Sequence, residues 1–148
     1  MVSTGAKQSL ANAILALVDH GDEVVIPAPF WVTYSELVKI AGGVPIIVPT
    51  IMKDGYKITP AQLESTITGR TTLFLFSSPC TPSGSVYTKQ ELAALAAVFR
   101  KHPQVYIISD EIYEYINFVG KHESIAQFAD LKDRIVIING LSKGFAMT

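Results

Sequence analysis

The chain has 148 residues, enough for one compact domain; 49% of them are apolar and only 17% charged, against about 25% in an average soluble domain. Twelve basic and thirteen acidic residues leave a formal charge of -1, which removes the electrostatic case for nucleic acid or an anionic membrane surface as main partner. The apolar share argues against disorder, the single Cys80 against an internal disulfide, and the lack of any long apolar run against a membrane helix.

In chain order, the first element is a helix over Lys7 to Asp19, whose apolar stripe is Leu10, Ala13, Ile14, Leu17 and Val18, with Gly21 as its stop. A strand follows at Glu23 to Ile26, then a helix over Val32 to Ala41 with Tyr34, Leu37, Val38 and Ala41 inward. The run Val44 to Val48 carries Pro45, which predicts an edge position or a strand start. Thr59-Pro60-Ala61-Gln62 combines a cap, a first-turn proline and a glutamine at the third helical position, and opens a helix burying Leu63 and Ile67. A strand over Thr72 to Phe76 leads to a second capping box, Thr88 to Glu91, with Leu92, Leu95, Ala96 and Phe99 on the buried face. Strands at Val105 to Ile108 and Arg134 to Ile138 flank a short helix near Ser124 to Phe128. Continuous β-branched runs separated by amphipathic helices describe an α/β protein: a mostly parallel sheet with helices on both faces.

Such sheets place ligands at the carboxyl ends of their strands, and the unusual polar residues of this chain fall there. Ser3-Thr4-Gly5-Ala6-Lys7 runs into the first helix; its free backbone amides suit a phosphate, although a simple cap has the same residue types. Asp110 ends the run Val105 to Ile108. It either caps a turn or pairs with a cation such as a protonated ring nitrogen. Tyr113 offers a phenol to the same region or packs in the core. Lys143, in NGLSKGFAMT, has apolar neighbours that would favour an amine nucleophile capable of forming a Schiff base; the alternative is an ordinary solvated lysine. Trp31, the only tryptophan, either stacks on a planar ligand or packs on the sheet. Cys80 has neither a partner set for nucleophilic catalysis nor metal-ligand spacing, and no metal is expected.

Taken in order, STGAKQSL, GDEVVIPAPFWVTY, AGGVPIIVP, SSPCTPSG, ISDEIYEYINF and NGLSKGFAMT resemble the large domain of the fold-type I pyridoxal-phosphate enzymes. The match is to the class I/II aminotransferases, bacterial aspartate aminotransferase subgroup, over essentially the whole chain. The resemblance implies pyridoxal 5'-phosphate as cofactor, Lys143 as the lysine that holds it as an internal aldimine and shuttles a proton, and Asp110 as the partner of the pyridine nitrogen. It also implies that Tyr113 bonds the cofactor's 3' oxygen, that Trp31 stacks on the ring, and that Gly5, Ala6 and Lys7 receive the phosphate, chiefly through backbone amides. The catalytic set is then Lys143, Asp110 and Tyr113.

There are three departures from the family pattern. Thr81 stands where the family has an asparagine reaching the 3' oxygen, and a hydroxyl is shorter than an amide. Gly140 stands where some subgroups place a phosphate-binding Ser or Thr. The chain stops at Thr148, within a motif that normally continues to an arginine. The resemblance therefore implies a partial large domain over residues 1–148, without the N-terminal segment and the C-terminal small domain. It further implies a cytoplasmic homodimer when full length, acting on an amino acid (best fit L-aspartate) and a 2-oxo acid such as 2-oxoglutarate. The chain alone is expected to show little or no transaminase activity. The alternatives are another fold-type I aminotransferase or lyase, or a non-catalytic α/β fragment.

Overall fold

The computed structural model describes residues 2–148. Five strands, β1 (Glu23–Ala28), β2 (Val44–Pro49), β3 (Thr71–Ser77), β4 (Tyr106–Asp110) and β5 (Ile135–Ile138), form one parallel sheet in the order β2-β1-β3-β4-β5. The strand with Pro45 lies at the edge, where a missing backbone N–H costs least. From β1 the chain goes outward to β2 and then returns to pair β3 on the other side of β1. The order thus reverses at β1, and a crevice opens above the carboxyl ends of β1 and β3.

Alternation along the strands divides the core into two layers. Val24, Ile26, Leu73, Leu75 and Ile108 pack against Leu10 and Ile14 of helix α1 (Ala6–Leu17) and Tyr34 and Val38 of α2 (Thr33–Ile40). Val25, Phe74, Phe76 and Ile107 face the other way, onto Leu63 of α3 (Pro60–Thr66) and Leu92, Leu95 and Phe99 of α4 (Lys89–Phe99). Burial of the middle strands on both faces is the reason their sequences read as unbroken apolar runs. Both expected capping boxes form: Thr59 and Gln62, and Thr88 and Glu91, satisfy each other's backbone amides reciprocally.

Differences from the sequence reading lie at element ends. Helix α1 stops at Leu17 because Val18 turns extended, although its side chain stays buried and its amide still bonds Ile14. The weak helix near Ser124 is one 3-10 turn, Ile125–Gln127, capped by the Ser124 hydroxyl. A second 3-10 stretch, Ala129–Arg134, and the four-residue helix α5 (Leu141–Gly144) carry no amphipathic stripe and were not expected. Strand β4 runs two residues past its apolar core and carries Ser109 and Asp110 into the ladder, opposite Phe76 and Ser77. That extension fixes the backbone of Asp110. No helix among the described residues is long and apolar enough to cross a membrane. The low charge has a counterpart on the surface: Tyr115, Phe118, Val119, Phe145 and Met147 are all exposed.

Candidate active site

A cavity of about 370 Å³ opens at the carboxyl end of the sheet, between the start of α1, the segment after β1, the loop after β3, the end of β4 and α5. Gly5, Ala6, Lys7, Trp31, Thr81, Asp110, Tyr113 and Lys143 all line it. Residues up to 138 positions apart in sequence therefore share one chamber. Leu10, Tyr34, Ser77, Ile112 and Ser142 complete the wall.

The floor is set by Asp110. The carboxylate is 4% exposed and accepts hydrogen bonds from the Tyr34 hydroxyl at 2.7 Å and from the Ile112 amide at 3.2 Å. Burial pushes its pKa above the ordinary aspartate value and the neighbouring Glu111 charge adds to that, while the two hydrogen bonds pull the other way. Among the described residues no lysine, arginine or histidine pairs with it. Burial, followed by the Asp110 charge, pushes the Tyr34 phenol well above its ordinary value, so Tyr34 stays a proton donor to the carboxylate.

Tyr34 was expected only as a core residue. The signal that could have found it lies in PFWVTY: Tyr34 follows Trp31 by about one helical turn, and the Tyr34 amide bonds the Trp31 carbonyl at 2.9 Å. The two rings meet edge to face with centroids 5.7 Å apart. Ser77, at the last position of β3, is 6% exposed and its hydroxyl has no hydrogen-bond partner. Nothing in SSPCTPSG distinguishes Ser77, the last residue of β3, from Ser78 just beyond it, whose hydroxyl instead accepts from the Tyr87 amide.

The entrance to α1 leaves backbone amides open. Gly5 caps the helix at φ +83°, a conformation open mainly to glycine, and no side chain occupies the cap. The Ala6 and Lys7 amides thus start the helix without intrahelical acceptors. Gly140 lies against this turn: a Cβ there would stand 3.5 Å from the Ala6 Cβ and 3.1 Å from Ile112 Cδ1. The Lys7 ammonium folds over the Trp31 ring at 4.9 Å from its centroid. Across the chamber Lys143 projects from α5, its Nζ 5.8 Å from the centroid of the Tyr113 ring. Gly144 packs close under Tyr115, whose ring meets that of Phe145 edge to face with centroids 5.1 Å apart. The loop after β3 is closed by the Cys80 amide on Ser85 and the Gly84 amide on Cys80, at 2.9 and 2.8 Å, which holds Thr81 at the cavity wall. Cys80 is a free, half-buried thiol facing the Pro29 carbonyl.

The chamber thus brings together a buried carboxylate without a cation, a serine hydroxyl without a partner, an aromatic face, a lysine and an open helix start, groups whose chemistry is compatible with a flat, cationic ring that carries a phosphate, such as pyridoxal 5'-phosphate. The model of the aminotransferase class I and II family matches residues 1–148, and the chain belongs to that family. It is 49% identical over 150 residues to the aspartate/prephenate aminotransferase of Nitrosomonas europaea, covering 100% of this chain and 38% of that protein. The crystal structure of the aspartate aminotransferase from Rhizobium meliloti superposes with a TM-score of 0.96 at 40% identity, over 99% of this chain and 37% of that one. An aromatic aminotransferase from Pyrococcus horikoshii OT3 gives 0.92 at 37% identity, over 97% and 38%. The chain spans less than two fifths of the length of each.

Proposed function

We propose that this protein is a pyridoxal-phosphate-dependent aminotransferase that moves the amino group of an amino acid, best L-aspartate, to a 2-oxo acid such as 2-oxoglutarate. The observation that carries this reading is Asp110: a buried carboxylate, without a cationic partner among the described residues, that lines the same chamber as Lys143. When bound, pyridoxal 5'-phosphate supplies an electron sink that stabilises negative charge on the substrate α-carbon.

Each residue then has a defined task. The Ala6 and Lys7 amides at the Gly5 turn hold the phosphate against the positive end of α1. Asp110 keeps the ring nitrogen protonated, and Tyr34 keeps Asp110 aimed. Trp31 covers the ring face and excludes water. The Tyr113 hydroxyl would donate a hydrogen bond to the 3' oxygen, while Thr81, with its shorter hydroxyl, lines the wall beside it. Lys143 Nζ would hold the cofactor, and as a free amine would serve as the base that takes the proton from the substrate α-carbon.

The preference for a dicarboxylic donor is supported by Lys7, a second ammonium in a cavity that otherwise needs only one. The Nitrosomonas relative is named for aspartate and prephenate and the Pyrococcus relative as an aromatic aminotransferase, which supports testing both substrate classes here. Homodimerisation and a cytoplasmic location belong to this proposal. The test is amino transfer by the protein expressed from its own reading frame, with aspartate, alanine and phenylalanine as donors. The reading expects the highest kcat/KM for aspartate, and a drop of at least about tenfold for that donor alone in Lys7→Met, the cost of one charge-assisted contact. A higher kcat/KM for phenylalanine would overturn the aspartate assignment.

A further inference from the structure

Asp110 and Glu111 are consecutive buried carboxylates at the end of β4, and the active site uses only the first. Glu111 is 3% exposed and points to the other side of the sheet, as strand alternation requires. It is fully engaged. One carboxylate oxygen accepts from the Ser109 hydroxyl at 2.9 Å and from the Ser124 hydroxyl at 2.6 Å; the other meets His122 Nε2 at 2.7 Å. Its amide donates to the Ile138 carbonyl of β5 at 2.8 Å. Glu114 also lies near Glu111 and His122. With three donors already on the carboxylate, the cluster is an anchor and not an open cation site.

The three donors do not come from one place. Ser109 lies on β4, whereas His122 and Ser124 lie at the far end of the segment that leaves the sheet at Glu111. Between these ends the chain carries Tyr113, on the cavity wall, and Tyr115, which packs against Gly144 and Phe145 beside Lys143. That segment has no regular secondary structure from Glu111 to Ser124, and its own backbone bonds are two short turns, Glu114 to Glu111 and Ile116 to Tyr113. Something outside the local backbone must therefore set its path.

We propose that Glu111 is a positioning residue for catalysis: through His122 and Ser124 it clamps both ends of the 111–124 loop and thereby sets Tyr113 and Tyr115 around the Lys143 turn. A carboxylate suits this task because hydrogen bonds to a charged acceptor are stronger and more directional than neutral ones, and because it accepts several at once. Loss of one donor loosens the far end; loss of the carboxylate frees it from the sheet, while the near end keeps its backbone bond to Ile138.

This inference rests on the proposed function only for the role of Tyr113, so the test has two readouts, made on the protein expressed from its own reading frame. The first needs no cofactor. In Glu111→Ala, amide hydrogen exchange across residues 113–124 accelerates at least about tenfold while β1 and β3 keep their protection. Glu111→Gln, which still accepts from both serines and meets the imidazole with its amide, restores most of the protection. His122→Ala, with the smaller perturbation of the core, gives an intermediate acceleration confined to the same segment. The second readout is the pH midpoint of the visible absorption of the bound cofactor. Tyr113→Phe raises it, Glu111→Ala raises it less, and the double variant does not exceed Tyr113→Phe, as for residues acting through one contact. Unchanged exchange in 113–124 for both Glu111→Ala and His122→Ala would overturn the clamp. So would a Glu111→Gln that behaves like Glu111→Ala, because the hydrogen bonds that the amide keeps would then hold nothing, and so would additive midpoint shifts. A protein without any visible cofactor band defeats the proposed function instead, and leaves the exchange result to decide the clamp.

Discussion

Glu23 and Asp110 are buried carboxylates at opposite ends of the sheet, and their surroundings treat them in opposite ways. At the amino end of β1, Glu23 is 4% exposed and surrounded by partners: the Thr68 and Thr71 hydroxyls and the Arg70 guanidinium. These contacts, led by the Thr68 hydroxyl, hold its pKa below the ordinary value against the opposing pull of desolvation. At the carboxyl end of β4, Asp110 is buried to the same 4% but has one phenol, one amide and no cation, and its pKa is pushed up. The first end is a finished structural joint. The second is left electrostatically incomplete at the place where a cationic ligand would complete it, which is how a fold stores the means to bind one.

Substitutions break or sharpen this contrast, from large effects to small. Lys143→Ala removes the amine nucleophile and is expected to lower kcat for amino transfer by about four orders of magnitude or more, measured against aspartate, while thermal stability of the cofactor-free protein barely changes. Asp110→Asn comes next. It should lower kcat about a thousandfold or more, because a neutral amide no longer holds a proton on the ring nitrogen. The same change should raise the stability of the cofactor-free protein at neutral pH by an amount on the order of 1 kcal/mol in urea unfolding.

The pH dependence of stability carries opposite signs at the two ends. A raised folded-state pKa means that the folded protein binds Asp110's proton more tightly than the unfolded chain does. Stability from this group is therefore greatest at low pH, and is lost as pH rises from the ordinary aspartate value of 3.8 through the folded one. Glu23 is the reverse. Its contribution is present above the ordinary value of 4.5 and disappears as pH falls through the depressed folded value. Glu23→Gln should cost about 1 kcal/mol at pH 7, a modest figure because Arg70 is largely exposed, and should flatten the acid limb of the stability curve without altering kcat of the folded protein. Asp110→Asn should flatten the profile just above the ordinary carboxylate range. The smallest effect is expected from Thr81→Asn. An amide reaching the 3' oxygen should lower the pH midpoint of the bound cofactor's visible absorption by up to about one unit.

Much of the carboxyl end was legible in the sequence because its residues stand in short motifs attached to strands. Asp110 follows VYIIS, Lys143 follows IVIING, and Trp31 follows VVIPAPF, so parallel strands with a common direction bring these motifs to one edge. Burial faces followed from periodicity: Leu92, Leu95, Ala96 and Phe99 point inward as their spacing requires. Two site residues did not announce themselves. Tyr34 reads as part of the apolar stripe of α2, and its hydroxyl gains a role only through Asp110, 76 positions away. Ser77 ends β3 and Ser78 follows it outside the strand, a boundary that SSPCTPSG does not mark. The Glu111 anchor was hidden as well. A glutamate beside an aspartate in SDEIY looks like one acidic patch, and only the pleat sends the two carboxylates to opposite sides of the sheet. The structure also explains the low charge of the chain in part: both faces of β1, β3 and β4 are covered, which leaves few positions that tolerate a charge.

The central claim is that the chamber above Asp110 holds pyridoxal 5'-phosphate with Lys143 as its covalent anchor. The most direct measurement is borohydride reduction of the protein incubated with the cofactor, followed by peptide mass mapping. The account predicts a phosphopyridoxyl group on the peptide that contains Lys143, lost in Lys143→Ala and weakened in Asp110→Asn. Label found on Lys7, or spread over surface lysines with Lys143 unmodified, would contradict it.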